Sequence, residues 1–177
     1  MIGKSRYIVS CDRLFATVIL LYIVAMSEEI RTVVQEEQVQ KSKSPVRPVG
    51  MSIEQVLAKA RTRIQRLAPD EAHDAMLNTQ AILIDIRSEG QRATEGSIAG
   101  ALVIERNVLE WRCDPRSDAR LPVMTNLDLQ LIVICSEGYS SSLAARDLQG
   151  LGFHRATDVT GGFQAWKTMS LPIVPPK

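Results

Sequence analysis

A single cysteine, Cys135, stands where an apolar run gives way to a small polar segment. The stretch LIVICSEGYSSSLAARDL (131–148) passes from that run to glycine and serines, and then to an alanine- and leucine-rich sequence typical of a helix. Backbone N–H groups of such a loop and the start of the helix together form a site for an anion. A thiol held there has a lowered pKa and is partly thiolate, which is the nucleophilic form. The alternative is a small buried apolar residue at a strand end.

The other residues capable of chemistry add little to this cysteine. His73 and His154 stand at no recognisable Cys/His spacing, so the sequence supplies no general base. Cys11, Cys113 and Cys135 form no CxxC pair, which predicts neither a disulfide framework nor a zinc site. Cys113 stays open as a second thiol that approaches the site. We predict no metal and no organic cofactor.

Alternating apolar and amphipathic segments must position the cysteine. They predict four strands, at 81–86, 100–105, 129–135 and 155–160, with helices between them near 108–111, 140–150 and 163–169. This alternation indicates an α/β domain with a mainly parallel central sheet flanked by helices. Ligands of such sheets bind beyond the carboxyl ends of the strands, which is where Cys135 lies.

Residues 51–68 predict an amphipathic helix ahead of the main domain at 69–177. Ser52 and Gln55 form a capping box, and one apolar stripe runs along the segment: Ile53, Val56, Leu57, Ala60, Ile64 and Leu67. Three arginines lie off the stripe and are predicted to be solvated: Arg61, Arg63 and Arg66. A second helix is predicted to begin at Pro69 and to end at Asn78.

The first fifty residues form an extension of a different character. Residues 14–26 are an apolar run preceded by Lys4, Arg6 and Arg13, and residues 27–50 have the composition of a linker. The run is compatible with a signal, a membrane anchor or an ordered accessory element, or the natural start is Met51. Membrane contact is expected only if the run is a real segment. A cytoplasmic location is the main expectation, and membrane anchoring or export is its alternative.

Four motifs in order resemble those of the rhodanese family. ILIDIR carries an Asp-x-Arg ending, Asp85 and Arg87, and GSIAGA (96–101) is similar to the family's glycine-rich turn. LIVICSEGYSSSLAARDLQGLGF (131–153) resembles the active-site strand, loop and helix, and VTGGFQAW (159–166) the closing Gly-Gly turn and tryptophan helix. The resemblance implies a parallel sheet with helices on both faces. It also implies that Cys135 carries sulfur as a persulfide and that Asp85 is structural.

The resemblance also implies which residues surround the sulfur. The loop residues would cradle the persulfide: Ser136, Glu137, Gly138, Tyr139, Ser140 and Ser141. Two loop positions that often carry basic residues in thiosulfate-preferring members hold Ser136 and Glu137 here, which disfavours a doubly charged donor. Arg87 and Arg92, from the loop after the first strand, are expected to restore positive charge.

The resemblance predicts a sulfurtransferase with a small sulfur donor and a thiol or cyanide acceptor, or with a persulfide-carrying protein as partner. The alternative is a non-catalytic or redox-sensing binding module that uses Cys135. A phosphatase is disfavoured because the sixth residue after the cysteine is Ser141 and not arginine. The chain has 21 basic and 20 acidic residues in 177, so nucleic acid is not an expected partner.

Overall fold

The computed structural model describes residues 19–32, residue 35 and residues 50–176. The chain divides into two units, Met1–Val49 and Gly50–Lys177. In the first unit, residues 19–32 form helix α1, and apolar side chains such as Leu20 and Tyr22 are exposed on it. Within these described ranges, no helix is both long enough and apolar enough to cross a membrane.

Part of the predicted linker is helical instead. Residues 27–32 continue α1 without a break, because Glu28, Glu29 and Arg31 are good helix formers and no glycine or proline interrupts them. Residues 14–18 of the apolar run and most of the predicted linker lie outside the described residues.

The second unit is organised around a parallel sheet. Its described strands follow the order β2-β1-β3-β4, with β1 at Ile82–Asp85, β2 at Leu102–Val103, β3 at Leu131–Ile134 and β4 at Thr157–Asp158. β2 pairs with one side of β1, and the chain then crosses to the other side for β3 and β4. The carboxyl ends of β1 and β3 therefore form the switch point where open α/β sheets bind ligands.

Strand β3 is apolar throughout because both of its faces are buried. Leu131 and Val133 face one core and Ile132 and Ile134 the other, and all four are fully buried. Each such side chain contributes about 1.5–3 kcal/mol by leaving water. The continuous apolar run that predicted a central strand therefore reflects two cores and not one.

Helices cover both faces of the sheet. α5 (Leu109–Cys113) and α6 (Ser140–Leu151) pack against the first core, through residues such as Leu109 and Leu148. α3 (Pro69–Asn78) and α7 (Gly162–Thr168) pack against the second, through Ala72 and Trp166. The predicted bounds of α3 are confirmed, and the side chain of Glu71 accepts the N–H of Ala68 at its start.

The N-terminal helix is shorter than predicted. α2 (Ile53–Arg61) begins at the expected capping box of Ser52 and Gln55 and packs on α6, but it ends six residues before Leu67. Leu67 instead forms a parallel bridge with Val159, donating its N–H to the Asp158 carbonyl and accepting the N–H of Thr160. The free edge of β4 offers those backbone groups, and bonding to them outweighs one more helical turn.

A further helix, α4 (Glu89–Glu95), was predicted as loop. Ser88 caps it and accepts the N–H of Gln91, whose side chain in turn accepts the N–H of Ser88. No residue of α4 is buried, so the segment has no apolar stripe to indicate a helix.

Candidate active site

Cys135 directly follows β3 and is nearly buried, with 7% of its surface exposed. The loop of residues 136–139 leads from it into the twelve-residue helix α6. Two backbone N–H groups of this turn point at the sulfur: Gly138 N lies 3.2 Å and Ser141 N 3.4 Å from Sγ. The Ser141 hydroxyl oxygen is 3.3 Å from the same atom. The predicted arrangement of a thiol facing N–H donors at the start of a helix is present.

These donors decide the charge of the thiol. Burial acts first and raises the pKa of Cys135, as it does for any thiol that leaves water. Hydrogen bonds from the hydroxyls of Ser140 and Ser141, and from the N–H groups of Ser141 and Gly138, act in the opposite direction and outweigh it. The net effect is a lowered pKa, which favours the thiolate.

The curl of the loop depends on glycine at two positions. Gly138 has φ +78°, and a Cβ there would lie 2.8 Å from Gly161 N and 3.0 Å from Val159 O. Gly162, the second glycine of the Gly-Gly turn, has φ +59°, and a Cβ on it would lie 2.7 Å from Gly138 N. Only residues without a side chain allow the two loops to meet this closely. The Gly-Gly turn thus packs directly against the cysteine loop and supports its conformation.

The first turn of helix α7 holds the same loop by two backbone hydrogen bonds. Phe163 N donates to the Cys135 carbonyl and Gln164 N to the Ser136 carbonyl, each at 2.9 Å. The first N–H groups of a helix have no partner within it, and here they hold the backbone that carries the sulfur.

A buried carboxylate lies behind the donor Ser141. Asp158 of β4 is fully buried and accepts the hydroxyls of Ser141 at 3.0 Å and Ser142 at 2.7 Å. Arg66 forms a two-pronged ion pair with it, at 2.8 and 3.0 Å. When Cys135 is a thiol, its S–H can donate to Ser141 while Ser141 donates to Asp158. When Cys135 is a thiolate, the Ser141 hydroxyl can donate to sulfur, since Arg66 and Ser142 still satisfy the carboxylate.

Arg87 does not reach the mouth of the site. Its side chain is buried, with Nη2 2.6 Å from Asp85 Oδ2 and Nη1 3.0 Å from Glu95, and its guanidinium lies 3.7 Å above the centre of the Phe163 ring. A charge so fully paired cannot serve an incoming anion. Asp85 and Arg87 instead support the loop, because Glu95 also accepts the Ser136 hydroxyl at 3.1 Å.

Arg92 lies on α4 and not in a loop, and it donates to the Arg87 carbonyl. The structure brings neither Arg87 nor Arg92 to the sulfur by any hydrogen bond. The charge of Arg87 is thus paired with Asp85 and Glu95, whereas the recorded hydrogen bond of Arg92 goes to a neutral carbonyl.

The remaining predicted loop residues line the rim. Glu137 and Tyr139 are exposed, and the Ser136 hydroxyl turns to Glu95 and away from the sulfur. The hydrogen bonds to the sulfur thus come from the N–H groups of Gly138 and Ser141, with the Ser141 hydroxyl beside them.

Two arginines that were predicted to be solvated belong to the site. Arg61 and Arg66 both donate to the Gly138 carbonyl, at 2.8 and 3.0 Å, and both are half-buried. The off-stripe position of these residues suggested a solvent-facing surface, which holds for Arg63. The excess of arginine near the end of a short helix was the one signal in the sequence that could have indicated a partner.

The second described cysteine is not part of the site. Cys113, at the end of α5, is fully buried, and burial together with the charge of Glu110 raises its pKa to about 12. Burial and the raised pKa both disfavour a reactive thiolate at this position. Across the described part of the chain, no group of His, Cys, Asp and Glu side chains is arranged to hold a metal ion.

Comparison with known proteins places this geometry in context. Residues 68–169 match the family described as the rhodanese-like domain. The thiosulfate sulfurtransferase GlpE of Stutzerimonas stutzeri is 33% identical over 106 residues, which is 60% of this chain and 87% of that protein.

Solved structures show the same fold. A Rhodopseudomonas palustris protein of unknown function, named as a possible tyrosine phosphatase, is 27% identical with a TM-score of 0.65, over 72% of this chain and 97% of that one. The polysulfide-sulfur transferase homodimer of Wolinella succinogenes is 20% identical with a TM-score of 0.53, over 67% of this chain and 84% of that one, and it supports the fold alone.

Proposed function

The chain belongs to the rhodanese-like domain family and is a rhodanese-like sulfurtransferase, and we propose that it carries sulfane sulfur as a persulfide on Cys135. The observation that carries this proposal is the convergence of the Gly138 and Ser141 N–H groups on Sγ at 3.2 and 3.4 Å. Preorganised N–H donors stabilise a negative charge on the cysteine sulfur and on a second sulfur attached to it.

The reaction has two displacements. In the first, the Cys135 thiolate attacks the outer sulfur of the donor, forms an S–S bond and expels the remainder with the electron pair. Thiosulfate would release sulfite, and an alkyl persulfide would release a thiolate. In the second, cyanide or an acceptor thiolate attacks the outer sulfur of the Cys135 persulfide, and the electron pair of the broken S–S bond returns to Cys135. No general base is needed, because both nucleophiles react as anions.

We propose a persulfide, on a small molecule or on a protein, as the donor that this site favours over thiosulfate. Glu137 is exposed on the rim, two residues from the nucleophile, and repels a dianion more than a singly charged persulfide. Arg87, which could have offset it, is buried and paired with Asp85 and Glu95, and Arg92 makes no hydrogen bond to the sulfur. The carboxylate is exposed, so water screens it and the preference should be a few-fold.

A donor panel tests both parts of this proposal. Thiosulfate, mercaptopyruvate, glutathione persulfide and a cysteine-desulfurase persulfide are offered to the full chain with cyanide as the acceptor. Because cyanide also reacts directly with free persulfides, turnover is the rate above that without protein. We expect this turnover with the persulfides to exceed that with thiosulfate, and we expect Cys135→Ser to abolish both. Glu137→Gln should raise kcat/KM for thiosulfate by a few-fold and leave that for glutathione persulfide nearly unchanged. Turnover that survives Cys135→Ser would contradict the assignment of the nucleophile.

Phosphate ester hydrolysis is the enzyme activity from which this site differs most clearly. The sixth residue after the cysteine is Ser141, whose hydroxyl faces Sγ and Asp158, so the loop offers no guanidinium to clasp a phosphoryl group. We expect no hydrolysis of an aryl phosphate above the Cys135→Ser background. Cysteine-dependent release of phosphate would favour the phosphatase instead.

A further inference from the structure

The segment before the matched family region supplies part of the cysteine loop's support. The family match begins at residue 68, whereas α2 and the link to Leu67 precede it. α2 packs on α6, and the link joins the free edge of β4 through Leu67. This segment brings Arg61 and Arg66 into hydrogen-bond contact with the loop.

Both guanidinium groups converge on one carbonyl. Arg61 Nη2 lies 2.8 Å and Arg66 Nη2 3.0 Å from Gly138 O. The Ser142 hydroxyl also lies 3.2 Å from this oxygen, but its shorter hydrogen bond, 2.7 Å, goes to Asp158. A carbonyl oxygen has two lone pairs, and the two guanidinium groups are the shorter of its three contacts. Arg61 also donates from Nε to the Ser142 hydroxyl at 3.2 Å, and its guanidinium lies 5.7 Å from the centre of the Tyr139 ring.

Gly138 is also the residue whose N–H donates to Cys135 Sγ. A glycine with a positive φ has wide conformational freedom, and the loss of one hydrogen bond would let its N–H turn from the sulfur. The two arginines remove that freedom by fixing the carbonyl of the same residue. Arg66 acts on the other N–H donor as well, because it holds Asp158, which accepts the Ser141 hydroxyl.

Arg61 and Arg66 differ in their ionic partners. Arg66 is paired with Asp158, and Glu95 is paired with Arg87. Within the described residues, Arg61 has no carboxylate partner, and its polar contacts are with the Gly138 carbonyl and the Ser142 hydroxyl of the cysteine loop and helix α6. Arg61 therefore acts on the sulfur through the backbone of Gly138, whose N–H donates to Sγ.

We propose that Arg61 and Arg66 are positioning residues that hold Gly138 and Ser141 in the geometry that receives the charged sulfur. The proposal rests on the proposed function only for the sulfur that the cradle receives, since the hold on Cys135 itself is testable without any sulfur donor.

Alkylation of Cys135 over a range of pH tests the proposal directly. The full chain and its variants react with iodoacetamide from pH 5 to 10, and peptide mapping by mass spectrometry gives the rate at Cys135 alone. Arg61→Gln should move the inflection upward by about 0.5–1 pH unit and slow alkylation at pH 7 by about three- to tenfold. Arg63→Gln, an exposed neighbour, is the matched control and should leave the profile unchanged.

Two conservative variants separate positioning from loss of folding. Arg61→Lys keeps the positive charge but cannot donate to the Gly138 carbonyl and the Ser142 hydroxyl with the planar geometry of a guanidinium. Its inflection should therefore fall between those of the wild type and Arg61→Gln. Arg66→Lys should also raise the inflection, while keeping a cation beside the buried Asp158, and thermal unfolding checks that each variant is folded. If Arg61→Gln, Arg61→Lys and Arg66→Lys all share the inflection of Arg63→Gln, the proposal is overturned.

The two proposals fail in different ways. If the inflection shifts upward in the Arg61 and Arg66 variants but the wild type takes up no sulfur, the persulfide function is wrong and the positioning role stands. If the wild type takes up sulfur but the inflection does not shift in the variants, the positioning role is wrong and the persulfide function stands. The steady-state parameters give a third readout. At a constant cyanide concentration, Arg61→Gln should lower kcat/KM for the sulfur donor, and Arg61→Lys should recover part of that loss.

Discussion

Cys113 and Cys135 are both buried at the end of a secondary-structure element, but the pKa of one thiol is raised and that of the other is lowered. Cys113 ends α5 among apolar side chains, and its pKa rises to about 12. Cys135 directly follows β3 and faces two N–H groups and the Ser141 hydroxyl, and its pKa falls although burial acts against it. The two thiols differ because hydrogen-bond donors around a buried sulfur favour the thiolate and apolar surroundings disfavour it.

The same comparison explains the conformation of the loop. Around Cys113, apolar packing needs only shape, whereas around Cys135 the backbone must turn its N–H groups inward. That turn requires Gly138 and Gly162 at positive φ, two hydrogen bonds from the start of α7, and the arginines of the N-terminal segment. Variants that remove these supports should make Cys135 resemble Cys113.

The largest effect is expected from Gly162→Ala. The added Cβ would lie 2.7 Å from Gly138 N, so the cysteine loop must shift, and a misplacement of about 1 Å at a reacting centre costs about 100-fold. Sulfur transfer to cyanide should fall by about that factor. Gly150→Ala is the control, since Gly150 lies in α6 with open space around it, and it should keep full activity and unfold at a slightly higher temperature. If the activity of Gly162→Ala stays within twofold of that of the wild type, the Gly-Gly turn does not support the cysteine loop.

A smaller loss is expected from Ser141→Ala. The variant removes the hydroxyl that lies 3.3 Å from Sγ and leaves Asp158 with Arg66 and Ser142 as partners. A hydrogen bond to a charged group is worth about 1.5–3 kcal/mol, so sulfur loading at pH 7 should slow about tenfold or more. Ser142→Ala removes a hydroxyl that bonds to the same carboxylate, to the Gly138 carbonyl and to Arg61 but not to the sulfur, so its effect should be smaller. Equal losses in both variants would mean that the carboxylate network, and not the hydroxyl at the sulfur, matters.

The two thiols should also differ in the wild-type protein over a range of pH. Cys135 should react with iodoacetamide with an inflection below that of the denatured chain's thiols, because its pKa is lowered. Cys113 should stay unmodified up to pH 9 in the folded chain and react only after denaturation. Peptide mapping distinguishes the two sites. Reaction of folded Cys113 at neutral pH would show that the comparison is wrong.

The smallest expected effect is on stability at high pH. The pKa of Cys113 is about 12 in the folded chain and about 8.5 when unfolded, so between these values the unfolded state binds fewer protons. Its contribution to stability is therefore complete below about pH 8.5 and is lost as pH rises toward 12, by up to about 1.4 kcal/mol per pH unit. Cys113→Ala should remove this slope from urea unfolding measured between pH 8 and 10 and should leave sulfur transfer unchanged. An identical slope in both proteins would contradict the raised pKa.

Much of the second unit could be predicted from local patterns. The apolar run of β3, the Pro69 start of α3 and the glycine- and serine-rich loop after Cys135 each depend on residues close together in sequence. Helix α4 also had a local indication, the Ser88 and Gln91 capping box, but no apolar stripe supported it.

The parts that could not be predicted depend on distant contacts. Arg61 and Arg66 bond to a carbonyl 77 and 72 residues further along the chain, and nothing in the sequence around them marks that partner. Arg87 was expected at the mouth of the site, and its burial follows from the meeting of Asp85, Glu95 and Phe163 around it. Periodicity indicates which face of a helix is apolar, but it does not indicate what a polar face meets.

The most direct test of the persulfide account is to locate the added sulfur in the wild-type chain. The protein is incubated with glutathione persulfide, separated from excess donor, digested under acidic conditions and mapped by mass spectrometry. We expect one added sulfur on the peptide that contains Cys135 and none on the peptide that contains Cys113, with the addition lost on exposure to cyanide. Sulfur on Cys113, or no added sulfur with any member of the donor panel, would contradict the account.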